Sequence, residues 1–169
     1  MMTMAKATTN GVVPMGAVAC KEEIYDAVMD ASPKGAVELF HGYTYSGIPV
    51  SVAAALAVQD IIEKEDIFNR AKDMAPYFQK GLFSLKDIDV VENIRGYGMM
   101  GGIDMKMNIK PGKAGFECFK ACYEVGVNFK ATGDCLIIAP QFICEKKHID
   151  EIINKLRTGI TNYSKNIKN

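Results

Sequence analysis

Apolar residues at positions 50, 53, 54, 57, 58, 61 and 62 recur with the spacing of one helical face, predicting a helix from Pro49 to about Ile67. Pro49 suits its first turn, because the N–H it lacks would have no partner there. The pattern resumes at Ile67 and runs through Leu82, with Phe68, Ala71, Met74, Ala75 and Phe78 on one side. Upstream, Gly16–Cys20 reads as a short buried strand. Lys21–Met29, with Ile24, Ala27 and Val28, reads as a short helix broken by Ser32-Pro33-Lys34-Gly35. Past Leu85 the period shortens to two. Val90–Arg95 and Gly102–Met107 alternate as strands, Gly115–Glu124 is a helix, and Val127–Phe129 and Leu136–Ala139 are strands around Thr132-Gly133-Asp134. Glu145–Tyr163, with Ile149, Ile152, Ile153 and Leu156, closes the chain as an amphipathic helix. The order is α/β with a boundary near residue 85. Residues 1–85 end in a long connecting helix, and residues 86–169 form a compact α+β unit.

Gly96-Tyr97-Gly98-Met99-Met100-Gly101 matches the glycine spacing of a dinucleotide-binding loop. That motif must end a strand and open a helix. Here an alternating segment follows, so the glycines are predicted to turn a hairpin.

Composition narrows the classes. The 169 residues are 49% hydrophobic and 24% charged, with 20 basic and 20 acidic side chains. A chain of this size buries roughly 70% of its unfolded surface. Zero formal charge gives no footing for nucleic acid or an anionic membrane and favours self-association. No apolar run is long enough to span a bilayer, and no secretory signal is recognised. Five cysteines (Cys20, Cys118, Cys122, Cys135 and Cys144), an odd number without CxxC spacing, read as reduced thiols in a cytoplasmic protein. Cys118 and Cys122 share a helix face and are expected in the core. With only His41 and His148 to join them, no metal site is expected.

Two segments carry chemistry. His41-Gly42-Tyr43-Thr44-Tyr45-Ser46-Gly47-Ile48-Pro49 sets backbone N–H groups and hydroxyls just before a helix N-terminus, where an anion is favoured. Thr44 reads equally as a capping or turn hydroxyl, and Tyr43 and Tyr45 as site-lining or packing residues. Further upstream, Ala5-Lys6-Ala7-Thr8-Thr9-Asn10-Gly11-Val12-Val13-Pro14-Met15-Gly16 sets one lysine among apolar neighbours and a turn. Met4, Ala5 and Val12 are expected to desolvate Lys6 and free its lone pair for Schiff-base formation.

In this order the two segments resemble the class III aminotransferases, pyridoxal-phosphate enzymes that include the omega-amino-acid:pyruvate transaminases. The resemblance covers essentially the whole chain but only the C-terminal part of the family. It implies the C-terminal part of the pyridoxal-phosphate-dependent transferase fold type I: the end of the large domain and the small α+β C-terminal domain. It implies that Lys6 carries pyridoxal 5'-phosphate and acts catalytically, and that Thr44 binds the cofactor phosphate of a neighbouring subunit. The partners implied are an amino donor, a keto acid such as pyruvate, and a second copy in a homodimer with shared sites. An Arg-Gly-x-Gly hairpin in the small domain of such enzymes matches Arg95–Gly98. Phe129-Lys130-Ala131-Thr132-Gly133-Asp134 resembles the segment whose arginine clamps the substrate carboxylate. Lys130 stands there instead and attracts a carboxylate without the planar fork, so it reads as a binding or a surface residue alike. The aromatic, Gly-Ser and Asp elements that grip the cofactor in complete members lie upstream of the lysine and have no counterpart in Met1–Ala5. The leading expectation is thus a fragment of a transaminase. The alternatives are a non-catalytic dimerisation or interaction module, and the C-terminal half of a split enzyme.

Overall fold

The computed structural model describes residues 1–35, 44–106 and 110–167. His41, Gly42, Tyr43 and Met107, singled out above, lie outside them. The chain divides into two compact units, Met1–Asp66 and Ile67–Asn169.

In the first unit, β1 (Met2–Ala5) and β2 (Gly16–Ala19) pair antiparallel, with Ala5 opposite Gly16. The helices α1 (Glu22–Asp30) and α2 (Pro49–Lys64) follow. Pro49 opens α2 as its position suggested. The expected buried strand at Gly16–Cys20 is a strand but not a buried one, and Val18 is 66% exposed. Two strands make too narrow a sheet to enclose their own side chains, and α1 buries no residue either.

The second unit holds the core. It comprises α3 (Ile67–Phe83), a 3₁₀ turn (Ser84–Asp87), β3 (Val91–Tyr97), β4 (Met100–Met105), α4 (Lys113–Glu124), β5 (Lys130–Thr132), β6 (Cys135–Ile138) and α5 (Lys146–Asn166). Its strands form an antiparallel sheet in the order β3-β4-β6-β5. The register sets Ile94, Ile103, Leu136 and Ala131 in one row across the four strands. This face meets Phe78 and Leu82 of α3, Cys118 and Cys122 of α4, and Leu156 and Ile160 of α5 in one hydrophobic cluster. Each fully buried Leu, Ile or Phe side chain there contributes about 1.5–3 kcal/mol of transfer free energy. Cys118 and Cys122 are core residues, as expected.

The glycine-rich stretch is a hairpin: Tyr97 pairs with Met100, and Gly98 turns with φ +57°. The strand predicted at Val127–Phe129 instead runs over Lys130–Thr132. The short turn at Gly133 and Asp134 pairs Thr132 with Cys135 and Lys130 with Ile137. Continuing that register would bring Asn128 opposite Ala139, beside Pro140, where the ladder loses a donor. A bulge between Val91 and Asn93 lets Val91 and Ile94 both face the core despite their odd spacing.

Candidate functional site

Lys6 directly follows β1 and opens the loop that returns the chain to β2. Its φ is +57°, in the left-handed region, as are those of Asn10 at +51° and Gly11 at +75°. For a lysine this conformation costs about 1–2 kcal/mol and persists only where surrounding bonds impose it. Those bonds are present. The Lys6 carbonyl accepts the Thr9 N–H at 3.3 Å and the Gly11 N–H at 3.2 Å, while the Val12 N–H donates to the Thr9 carbonyl at 3.1 Å. The Thr9 hydroxyl donates to the Val13 carbonyl at 2.6 Å. Ser51, in the first turn of α2, donates to the Pro14 carbonyl at 3.2 Å.

An open cavity of about 790 Å³ lies between this loop and the start of α2, its wall including Lys6, Thr9, Gly11, Ser46, Gly47 and Ser51. Among the described residues, Lys6 is the one charged member of that wall. Thr8 Oγ1, two residues along, is enclosed with no hydrogen-bond partner among the described residues. The expected apolar cover of Lys6 is not formed: Lys6 and Ala5 are exposed, and Val12 is 74% exposed. The loop turns Val12 outward, so neighbours in sequence do not become a shell around the amine.

Thr44 lies in the turn before α2, exposed and outside the cavity wall, whereas Tyr45 is in the wall although 88% exposed. The helix N-cap is Ile48, with no side-chain cap, so Thr44 is not a capping hydroxyl. Lys130 is exposed on β5 in the second unit. It stands on the sheet face opposite the core, in the cross-strand row of Ile137, Gly102 and Arg95. On that face Arg95 pairs with Asp104. Burial pushes the Asp104 carboxyl up, but hydrogen bonds from Arg95 and Cys135 and the charge of Arg95 outweigh it and hold the carboxyl below its ordinary value. Asp134, in the β5–β6 turn, accepts the Gly112 N–H at 2.8 Å and the Gly115 N–H at 3.2 Å, tying that turn to the start of α4.

The residues around Lys6 fit pyridoxal phosphate in kind. A primary amine suits its aldehyde, and the Ser46 hydroxyl in the wall and the first N–H groups of α2 suit its phosphate, whereas the Thr9 and Ser51 hydroxyls already donate to carbonyls. The cavity wall offers no carboxylate for the pyridine nitrogen among the described residues. Sequence reasoning missed Thr9 and Ser51. The available signal was weak: a serine at the first turn of a helix, one position out of phase with the apolar stripe.

Among the described residues, no group of three or more His, Cys, Asp and Glu converges as a metal site, and no helix is long and apolar enough to cross a membrane.

The Aminotransferase class-III family model matches residues 1–160. The omega-aminotransferase of Caulobacter vibrioides is 39% identical over 158 residues, covering 93% of this chain and 36% of its own length. The omega-amino acid–pyruvate aminotransferase of Pseudomonas putida is 36% identical over 169 residues, covering 92% and 37% respectively. A solved transaminase with L-alanine superposes with a TM-score of 0.91 at 28% identity, covering 98% of this chain and 40% of its own. The chain thus spans little more than a third of the length of these relatives. Its fold is that of the C-terminal part of a transaminase. By its family match and its architecture, the chain belongs to the class-III aminotransferases.

Proposed function

We propose that this chain is the C-terminal part of an aminotransferase moving an amino group from an omega-amino acid or amine to a keto acid such as pyruvate. The observation that carries the reading is Lys6, held with left-handed φ in the wall of an open, largely apolar cavity of which it is the one charged member among the described residues. Pyridoxal phosphate, when bound, supplies the electron sink for breaking a bond at the amine-bearing carbon. Lys6 Nζ would hold the cofactor at its aldehyde carbon. As a free amine, the same Nζ would accept the proton from the substrate's reacting carbon and pass it back to the carbon that bound the lysine. The Ser46 hydroxyl and the first N–H groups of α2 would orient the cofactor's phosphate, and Lys130 would attract the substrate carboxylate.

Thr44 serves the phosphate of a neighbouring copy, which agrees with its place outside the wall of its own cavity. A cytoplasmic homodimer with shared sites belongs to the same proposal. So does the division into residues 1–85, ending the large domain with its connecting helix, and residues 86–169, the small domain. It differs from the two packing units in the placing of α3 and the start of the 3₁₀ turn. The reading of the chain as part of a larger enzyme, fragment or split half, is supported by the first unit. No apolar residue of Met1–Asp66 is buried among the described residues.

A spectroscopic titration tests the proposal. The full chain is expected to develop the visible absorbance of lysine-bound pyridoxal phosphate, and Lys6→Ala to lose it. Equal absorbance in both would reject Lys6 as the cofactor lysine.

A further inference from the structure

In Met1–Asp66 the described buried residues are two, Thr9 and Ser51, at 1% and 7% exposure. Both carry hydroxyls, and both hydroxyls donate to carbonyls of the Lys6 loop, at successive residues Val13 and Pro14. A buried hydroxyl is costly unless it is hydrogen-bonded, so what the described residues of this unit enclose is a polar clasp rather than an apolar core. The two donors come from different places: Thr9 from inside the loop, Ser51 from the first turn of α2, 37 residues from Pro14. Pro14 has its own φ fixed by its ring, which makes it a stiff point at which to anchor a loop. Thr9 also belongs to the bonds that hold Lys6 itself, because its N–H donates to the Lys6 carbonyl.

We infer that Thr9 and Ser51 are positioning residues: a two-hydroxyl clasp that pins the lysine-bearing loop to the start of α2. It sets the direction of the Lys6 amine relative to the cavity. The inference rests on the reading of Lys6 as the cofactor lysine. Without the clasp the loop opens, Lys6 is released from its left-handed φ, and its amine no longer has one direction.

The test uses the full chain and three variants. Thr9→Val keeps the shape and removes the donor, Thr9→Ser restores a hydroxyl, and Ser51→Ala removes the second donor. Amide hydrogen exchange without cofactor reads the clasp. Gly11 and Val12 are expected to exchange roughly tenfold faster in Thr9→Val, the scale of one lost hydrogen bond, and near the original rate in Thr9→Ser. Leu156 and Ile160 of α5 are expected to be unchanged, which separates loop opening from general unfolding. Borohydride reduction after incubation with pyridoxal phosphate reads positioning. The share of label on Lys6, against all other lysines, is expected to fall in Thr9→Val and Ser51→Ala and to recover in Thr9→Ser. Unchanged loop exchange in Thr9→Val overturns the clasp. Faster exchange with undiminished Lys6 selectivity overturns its positioning role. If the original chain shows no Lys6 selectivity, the cofactor reading and the positioning role fall, while the exchange data still decide the clasp.

Discussion

Lys6 is held against its own backbone preference, and the residues that hold it are polar. That is how functional loops commonly store strain, with the cost met by bonds elsewhere in the loop. The order of lysine, turn and Thr-bearing loop is what singles out Lys6 in the sequence. Its surroundings were not legible there: Val12 was expected as cover, but the loop's hydrogen bonds turn it outward. Thr9 and Ser51 stayed hidden because contact between a loop and a helix distant in sequence leaves no periodic mark. The Arg95–Asp104 pair allows a prediction at this scale. The folded carboxyl lies below its unfolded value of about 4, so its stabilisation is present above that value and lost as pH falls through the folded one. The acid limb of the stability–pH curve is expected to be shallower in Asp104→Asn below about pH 4, and unchanged near neutrality apart from a constant offset. Denaturant titrations at stepped pH check this, and an identical acid slope would contradict it.

At the scale of elements, the β5–β6 hairpin owes its place to Asp134. Its carboxylate receives two N–H groups at the start of α4, where the helix carries no side-chain cap of its own. Asp134→Ala is expected to cost about 1 kcal/mol, the usual worth of a lost helix cap, measured as a shift in urea midpoint. Because β5 carries Lys130, the same change is expected to loosen that strand, seen as faster amide exchange at Ala131. The packing of α5 on α4 depends on Gly159. A Cβ there would stand 2.6 Å from both Cα and Sγ of Cys122. Backbone cannot yield as a side chain can, so Gly159→Ala is expected to destabilise by about 1–3 kcal/mol. A neutral result in thermal melting would mean the helices slide apart easily. Helix and hairpin identities were legible from periodicity and from the Gly98 turn. The position of β5 was not, because it follows from the register across the short turn at Gly133 and Asp134, which pairs Thr132 with Cys135. Nor was the bulge that turns both Val91 and Ile94 inward, since strict alternation assigns them to opposite faces.

For the whole molecule the contrast between units decides behaviour. The buried hydrophobic residues among those described begin at Ile67, whereas Leu56 and Val18 of the first unit are 64% and 66% exposed. A segment of residues 67–169 is therefore expected to unfold cooperatively on its own, and one of residues 1–66 to show no cooperative melt by circular dichroism. The sequence boundary near 85 was drawn where periodicity changes. Packing divides the chain at Asp66 and Ile67, because Ile67, Ala71, Phe78 and Leu82 of α3 are buried, and all but Ile67 join the second unit's core. Without a carboxylate among the described residues of the cavity wall to hold the pyridine nitrogen protonated, the 169-residue chain is expected to transaminate poorly by itself. Robust turnover by the purified chain would contradict that.

The central claim is that Lys6 is the cofactor lysine. Its most direct test is to incubate the purified chain with pyridoxal phosphate, reduce with borohydride, and map the modified lysines by mass spectrometry. Selective modification of Lys6 is the expected result. Modification spread over the other lysines, or absent from Lys6, would contradict it.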